Sequence, residues 1–89
     1  MEIRTTKKLD AERAALLDES LKHALADGET VLTINMDETT YICSAGLRAI
    51  ISAQKKINRL RGSMVLCNVK PQIMEIFEVT GFGGALTFE

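Results

Sequence analysis

Two adjacent side chains, Cys43 and Ser44, stand where an apolar run ends and a helical pattern begins. A thiol or a hydroxyl at a helix N-terminus can act as a nucleophile, because the positive end of the helix dipole stabilises its developing negative charge. Such a nucleophile also needs a neighbouring base, and the only histidine, His23, lies in a polar helical stretch beside Lys22. We therefore interpret His23 as an exposed helix residue and predict that the protein is not an enzyme.

The remaining candidates for chemistry have ordinary structural interpretations. Residues 81–84, Gly-Phe-Gly-Gly, follow a predicted helix and precede a predicted strand, whereas a phosphate-binding loop follows a strand and begins a helix. Cys43 and Cys67 have no metal-ligand spacing around them, so we expect two reduced, buried thiols. The sequence thus predicts neither a metal nor a cofactor.

Ser44 itself allows two interpretations. Serine is a preferred N-cap residue, whose hydroxyl accepts a hydrogen bond from a backbone N–H and contributes about 1 kcal/mol. The same place also suits a phosphate, since the free N–H groups and the dipole at a helix start stabilise an anion. A phosphoserine there would leave the fold intact and would bring a charge of about −2 to any partner docked on the junction.

Periodicity and capping signals predict the elements that position this junction. Apolar residues at spacings of three and four indicate helices, and short apolar runs between polar or glycine residues indicate strands. The predicted order is a short strand within 1–8, a helix over 11–26 capped by Asp10, a strand over 30–36, an extended segment at 41–43, a helix from Ser44 or Ala45 that Gly62 ends, a strand over 63–69, a helix over 71–80 and a final strand over 85–88.

This alternation of strands and helices predicts an α/β domain with right-handed crossovers. A chain of 89 residues supports one modest core, so we expect a single domain over residues 1–89. Its sheet should be mixed but mostly parallel, with four or five strands and at least three packed helices. The residues expected in the core are Val31, Leu32, Ile34, Met36, Leu47, Ile50, Ile57, Val65, Leu66, Ile76 and Phe77.

Composition and charge exclude several classes of partner. The 11 basic and 12 acidic residues leave a formal net charge of −1, and aromatic residues make up 4% with no Trp. We therefore expect no direct binding of nucleic acid. The charged N-terminus lacks the apolar core of a secretory signal, and no apolar run approaches the roughly 20 residues that cross a bilayer. These features predict no membrane insertion and a cytoplasmic location.

Several stretches of the sequence together resemble one known family. Tyr-Ile-Cys-Ser-Ala-Gly-Leu at 41–47 follows a hydrophobic strand, Leu-Asp at 9–10 precedes the first helix, and Thr-Gly-Phe at 80–82 ends a strand–proline–helix unit. Each piece alone is weakly specific, but their order is more so. In this combination the chain resembles the STAS family, the domain shared by anti-sigma-factor antagonists and sulfate-transporter tails.

The resemblance implies a protein that acts by binding other proteins. In the bacterial antagonists, an anti-sigma factor that is also a serine kinase phosphorylates the first serine of an Asp-Ser-Ser/Ala-Gly-Leu motif and so ends binding, and a serine phosphatase restores it. Ser44 stands at that position. Asp10 matches a family aspartate near the partner surface, and Gly46 a glycine that lets the helix start approach closely. The implied partner-binding residues are Asp10, Cys43, Ala45, Gly46, Leu47 and Arg48.

The sequence departs from the family pattern in two places. Cys43 replaces the aspartate that precedes the phosphoacceptor, which leaves open a second function: a STAS scaffold subunit of another complex, such as a lipid-transport ATPase, with Ser44 only as a cap. The N-terminal hairpin of the family is shortened or absent in the ten residues before the first helix. One sheet edge would then be exposed, and a partner or a second copy in a homodimer could cover it.

Overall fold

Short parallel strands organise the fold, and the computed structural model describes residues 1–89. All strand pairs run parallel, and each crossover contains a helix or a long loop, as parallel pairing requires. The α/β class is therefore confirmed. The first sheet consists of β1 (Glu2–Arg4), β3 (Val31–Asn35) and β5 (Ser63–Cys67) in that spatial order, and the second pairs β2 (Lys8–Leu9) with β4 (Tyr41–Ile42).

The three expected helices are present, and their limits follow the capping signals. The Asp10 carboxylate accepts a hydrogen bond from the backbone N–H of Arg13 at 3.0 Å, and Pro71 begins the third helix. Gly28 has a φ of 88°, the left-handed conformation with which helices commonly end. The helices are α1 (Ala11–Ala26), α2 (Ser44–Arg59) and α3 (Pro71–Val79), and a turn of 3₁₀ helix covers Gly83–Ala85.

The arrangement of the strands differs from the single sheet that we expected. The polar residues 37–40 turn the chain out of the first sheet, so β4 pairs only with β2. The N-terminal strand is also present: Ile3 lies opposite Ile34 in the register of β1 and β3. β1 therefore covers one edge of β3 and is itself the outer strand of the first sheet.

The predicted strand over 85–88 is wrong. Gly83–Ala85 form a turn of 3₁₀ helix after α3, and within 85–88 only Phe88 pairs with β5, in an isolated parallel bridge to Leu66. The Phe88 ring instead contributes by packing edge-on against Phe77, with 5.6 Å between ring centroids.

The core is one cluster of 17 buried residues between the sheets and the helices. Most of the predicted core residues belong to it, but Val31 is 61% exposed, and Val65 and Ile76 are only half-buried. Val31 is the first residue of β3, and its side chain is on a face of the strand that is exposed to solvent there. Val65 points away from the face that buries its neighbours on β5, since successive strand residues alternate between faces. Cys43 and Cys67 are free thiols, half-buried rather than buried as expected.

A buried threonine cluster ties the two loops that precede the second sheet. Thr39 is fully buried, and its hydroxyl donates to the backbone oxygen of Thr6 at 2.8 Å. The Thr5 hydroxyl also contacts the Thr39 hydroxyl. The backbone N–H of Thr40 adds a bond to Lys7 O at 2.8 Å, and together these bonds hold β2 and β4 in register.

Candidate functional site

The candidate site lies at the ends of the paired strands β2 and β4, where α1 and α2 begin side by side. Leu9 lies opposite Ile42 in the pair of strands, and the backbone N–H of Cys43 donates to Leu9 O at 2.9 Å. Each strand is followed by one extended residue and then by a helix. Because the strands are parallel and in register, the two helices begin next to each other and run alongside one another.

Ser44 is the first residue of α2 and not its N-cap, which corrects one of the two interpretations of the sequence. The N-cap is Cys43, with extended φ and ψ of −91° and 173°, and its side chain makes no capping hydrogen bond. The first N–H groups of α2 therefore have no side-chain partner from the cap residue. Ser44 is exposed, so its hydroxyl is available to another protein.

Arg48 folds back over Ser44 from one turn further along α2. Its Nη2 donates to Ser44 Oγ at 3.1 Å, and its Nε donates to Ser44 O at 3.4 Å. Both residues are exposed, so this contact lies on the surface. The arrangement places a permanent cation on the hydroxyl that the sequence marks as the candidate phosphoacceptor.

The first turn of α2 sits directly on the second sheet because Gly46 has no side chain. A Cβ at that position would lie 2.9 Å from Ile42 Cγ1 and 3.6 Å from Leu9 Cβ. Gly46 and Leu47, which the family resemblance placed in the partner-binding set, are both buried. They support the surface from beneath, while Asp10, Ser44 and Arg48 are exposed on it and Cys43 and Ala45 are partly exposed.

An open groove of about 350 Å³ runs between α1 and α2 beside Ser44. Small side chains form its floor, and charged or polar side chains flank it. Sequence reasoning missed this groove, although alanines at spacings of three and four in both helices were a visible signal for close helix contact. The groove is lined by Ala11, Ala14, Ala15, Asp18, Ala45, Arg48, Ala49 and Ser52.

No histidine lies next to the potential nucleophiles Cys43 and Ser44. His23 is exposed, as predicted, in the last turn of α1, whereas Asp10 caps the other end of that helix beside Cys43. Burial raises the pKa of the Cys67 thiol above its usual value, and the negative charges of Glu2 and Glu89 add to the effect. Cys67 is therefore a poor nucleophile at neutral pH.

Two further features of the whole chain bear on ligands and membranes. No group of three or more His, Cys, Asp or Glu side chains is placed to hold a metal ion. No helix combines the length and the apolar character needed to span a lipid bilayer.

Comparison with known proteins finds relatives that are named as antagonists of anti-sigma factors. BtrV of Bordetella bronchiseptica, named as a candidate anti-sigma factor antagonist, is 36% identical over 76 residues, which are 85% of this chain and 59% of BtrV. The anti-sigma-B factor antagonist of Listeria monocytogenes is 28% identical over 74 residues, 83% of this chain and 65% of that protein. The chain thus spans about three-fifths of the length of these relatives.

The fold has close counterparts among solved structures. The unphosphorylated form of the anti-sigma factor antagonist SpoIIAA superposes with a TM-score of 0.85 at 18% identity, over 99% of this chain and 77% of SpoIIAA. The phosphorylated Bacillus form gives 0.79 at 19% identity, over 99% of this chain and 80% of that one. The family model described as the STAS domain matches residues 1–89. This chain therefore belongs to the STAS domain family.

Proposed function

We propose that this STAS domain is an anti-sigma-factor antagonist that acts by binding and not by catalysis. Its partner is an anti-sigma factor that is also a serine kinase, and phosphorylation of Ser44 ends the binding. A serine phosphatase reverses the switch. The observation that carries the proposal is the exposed Ser44 hydroxyl at the first position of α2, beside the open groove between α1 and α2. The names of the relatives support the same role.

In the phosphoryl transfer, this domain needs to supply only an accessible hydroxyl. The kinase transfers the terminal phosphoryl group of a nucleoside triphosphate to Ser44 Oγ, a base of the kinase takes the hydroxyl proton, and the nucleoside diphosphate leaves. The product carries a charge of about −2 at the start of α2. The free N–H groups and the dipole of the helix favour that charge, so the domain stays folded.

The groove explains why this charge would end binding. A partner docked over α1 and α2 would bury the Ser44 hydroxyl together with the alanine floor of the groove. A phosphate at the same place would lose much of its hydration without a matching cation from the partner. Arg48 can offset one of the two negative charges, and the charge that remains unpaired at a buried interface costs on the order of 2–5 kcal/mol, which is sufficient for a switch.

The kinase reaction tests the proposal directly. We expect wild-type protein, incubated with a nucleoside triphosphate and the cognate anti-sigma kinase, to gain the mass of one phosphate in intact mass spectrometry. Ser44→Ala should gain none. Ser20→Ala is the matched control, because Ser20 is an exposed serine on α1, and it should be phosphorylated like wild type. A phosphate that still appears on Ser44→Ala contradicts the assignment.

Cys43 favours a second candidate function, a STAS scaffold subunit of another complex such as a lipid-transport ATPase. The family aspartate before the phosphoacceptor is replaced here by a neutral side chain, and a kinase that recognises the aspartate would not accept Ser44 as its substrate. A scaffold would bind its partner at all times. Wild-type protein that takes up no phosphate from its cognate kinase, yet forms a stable complex with a transport ATPase, would favour this function.

The proposal places the domain in the cytoplasm, where anti-sigma factors meet their sigma factors. It does not extend to a homodimer through a sheet edge. β1 covers the edge of β3, and its own exposed residues are Glu2 and Arg4. Charged side chains on a short edge strand oppose pairing with another copy.

A further inference from the structure

Arg48 contacts Ser44 and has no carboxylate partner. The two ion pairs of the structure are Arg4 with Asp37 and Lys22 with Asp18. Asp18 lines the groove together with Arg48, but its carboxylate is engaged by Lys22 at 2.9 Å. The Arg48 guanidinium instead donates hydrogen bonds to Ser44 Oγ and Ser44 O, at 3.1 and 3.4 Å.

A serine hydroxyl can accept from only a few of the hydrogen-bond donors of an arginine side chain. The guanidinium has five N–H donors in a planar fork that matches two oxygens of a phosphate at once. A neutral hydroxyl accepts only part of that set, whereas a phosphate on the same oxygen adds three strong acceptors within reach of the fork. The side chain is therefore already directed toward the place where the new charge would appear.

The immediate surroundings of Ser44 leave room for that charge. Cys43 puts a neutral side chain beside Ser44, and Asp10 uses its carboxylate to cap α1 through the N–H of Arg13. The side chain of the cap residue accepts no hydrogen bond from the first N–H groups of α2. The other charged or titratable side chains on the elements packed against the junction are Lys8 of β2, Tyr41 of β4, and on α1 Glu12, Arg13, Asp18, Glu19, Lys22 and His23, the last three lying in its second half.

We propose that Arg48 is the residue that holds a phosphate on Ser44 against α2. This inference rests on the proposed function, since it needs a phosphate at that position. Phosphorylation then changes the surface twice: it adds an anion, and it engages the guanidinium that would otherwise be free to contact a partner at the rim of the groove. Arg48 is a positioning residue for the off state and takes no part in the phosphoryl transfer.

The test uses protein that carries phosphoserine at position 44 by incorporation during translation, so that no kinase is involved. Phosphorus NMR at varied pH measures the second pKa of the phosphate, which is about 6 for an unperturbed phosphoserine. Arg48 favours the dianion, so the pKa in otherwise wild-type protein should lie below that value. Arg48→Gln should raise it by about half a unit, the size expected for an exposed ion pair. Arg48→Lys, which keeps the charge but loses the fork, should give a smaller rise.

Arg59→Gln is the matched control, because Arg59 is an exposed arginine in the last turn of the same helix, about 22 Å along its axis from Ser44. It should leave the phosphate pKa unchanged. Equal pKa values in wild type and Arg48→Gln, or an equal rise from Arg59→Gln, would overturn the inference. If Arg48→Gln does not melt cooperatively, the phosphate pKa of Arg48→Lys is the deciding measurement. A phosphate pKa in Arg48→Lys equal to that of wild type then contradicts the inference.

The outcome is separable from that of the proposed function. A kinase that fails to modify Ser44 in unphosphorylated protein would remove the switch, yet it would not alter the pKa of a phosphate placed there by translation. Conversely, a phosphate pKa that ignores Arg48 would remove the holding role and leave the kinase result intact.

Discussion

The starts of α1 and α2 are built on the same plan but are capped differently. Both helices follow two-residue strands that pair in register, and both have an extended residue before the first helical one. At α1 that residue is Asp10, whose carboxylate accepts a bond from the third N–H of the helix, at Arg13. At α2 it is Cys43, whose side chain accepts nothing.

The difference separates a structural helix start from one that is available to an anion. A carboxylate cap satisfies a backbone donor and complements the helix dipole, and it thereby occupies the positive end of α1. The corresponding end of α2 has no such carboxylate, and its first residue presents a hydroxyl with a cation above it. A phosphate is therefore better accommodated at the second start than at the first, where it would meet the Asp10 carboxylate.

Gly46→Val should have the largest effect, because it would break the placement of α2. A Cβ there meets Ile42 Cγ1 at 2.9 Å, and a valine adds two methyl groups in a filled space. We expect the free energy of unfolding, measured with urea, to fall by about 1–3 kcal/mol, as for other overpacked cores. Gly84→Val is the control, since nothing lies within 4 Å of a Cβ at that position. Similar losses in both variants would show that the close approach of α2 is not responsible.

Ser44→Asp asks whether the start of α2 tolerates a negative charge while a bound partner does not. The melting temperature should stay nearly unchanged, because a helix N-terminus accepts a carboxylate. Affinity for the anti-sigma factor should fall at least tenfold, or about 1.4 kcal/mol, in a titration by calorimetry. Ser20→Asp places the same charge on the other face of α1 and should bind normally. Equal affinity of Ser44→Asp and wild type would argue against docking at this junction.

Much of this arrangement could be predicted from local signals. Asp10, Gly28 and Pro71 mark helix limits through their own backbone chemistry, and such signals need no knowledge of the rest of the chain. The periodicity of apolar residues likewise predicted the order of strands and helices. The family resemblance pointed to Ser44, which the structure places on the surface beside α1.

The rest depended on contacts between distant parts of the chain. Thr39, in the segment that leads from the first sheet to β4, looked like an ordinary polar loop residue but is fully buried and bonded to Thr5 and Thr6. The exposure of Val31 depends on which strand face stays uncovered. The contact of Arg48 with Ser44 was open to prediction from their spacing of four residues on one helix, but spacing alone does not choose a rotamer.

Asp10→Ala should separate the two helix starts by stability alone. Removal of the carboxylate leaves the N–H of Arg13 without its side-chain acceptor and should cost about 1 kcal/mol in the free energy of unfolding. Cys43→Ala is the matched change at α2, where no capping bond exists to lose, and it should cost less than half as much. The comparison fails if urea denaturation gives the same loss for both variants.

Cys43→Asp should make the start of α2 resemble that of α1, with the smallest effect on the unphosphorylated domain. The new carboxylate can accept from the first free N–H groups of α2, so the free energy of unfolding should rise by about 0.5–1 kcal/mol. In protein with phosphoserine at position 44, the same carboxylate repels the dianion and should raise the second pKa of the phosphate.

Cys43→Asn is the control that separates capping from charge. It offers the same backbone bond without the negative charge, so it should stabilise the unphosphorylated domain to a similar degree and leave the phosphate pKa where wild type has it. If Asn and Asp raise that pKa equally, the cap and not the charge competes with the phosphate. In that case the availability of α2 to an anion comes from its free N–H groups, and the neutrality of Cys43 matters only because the thiol leaves those groups unoccupied.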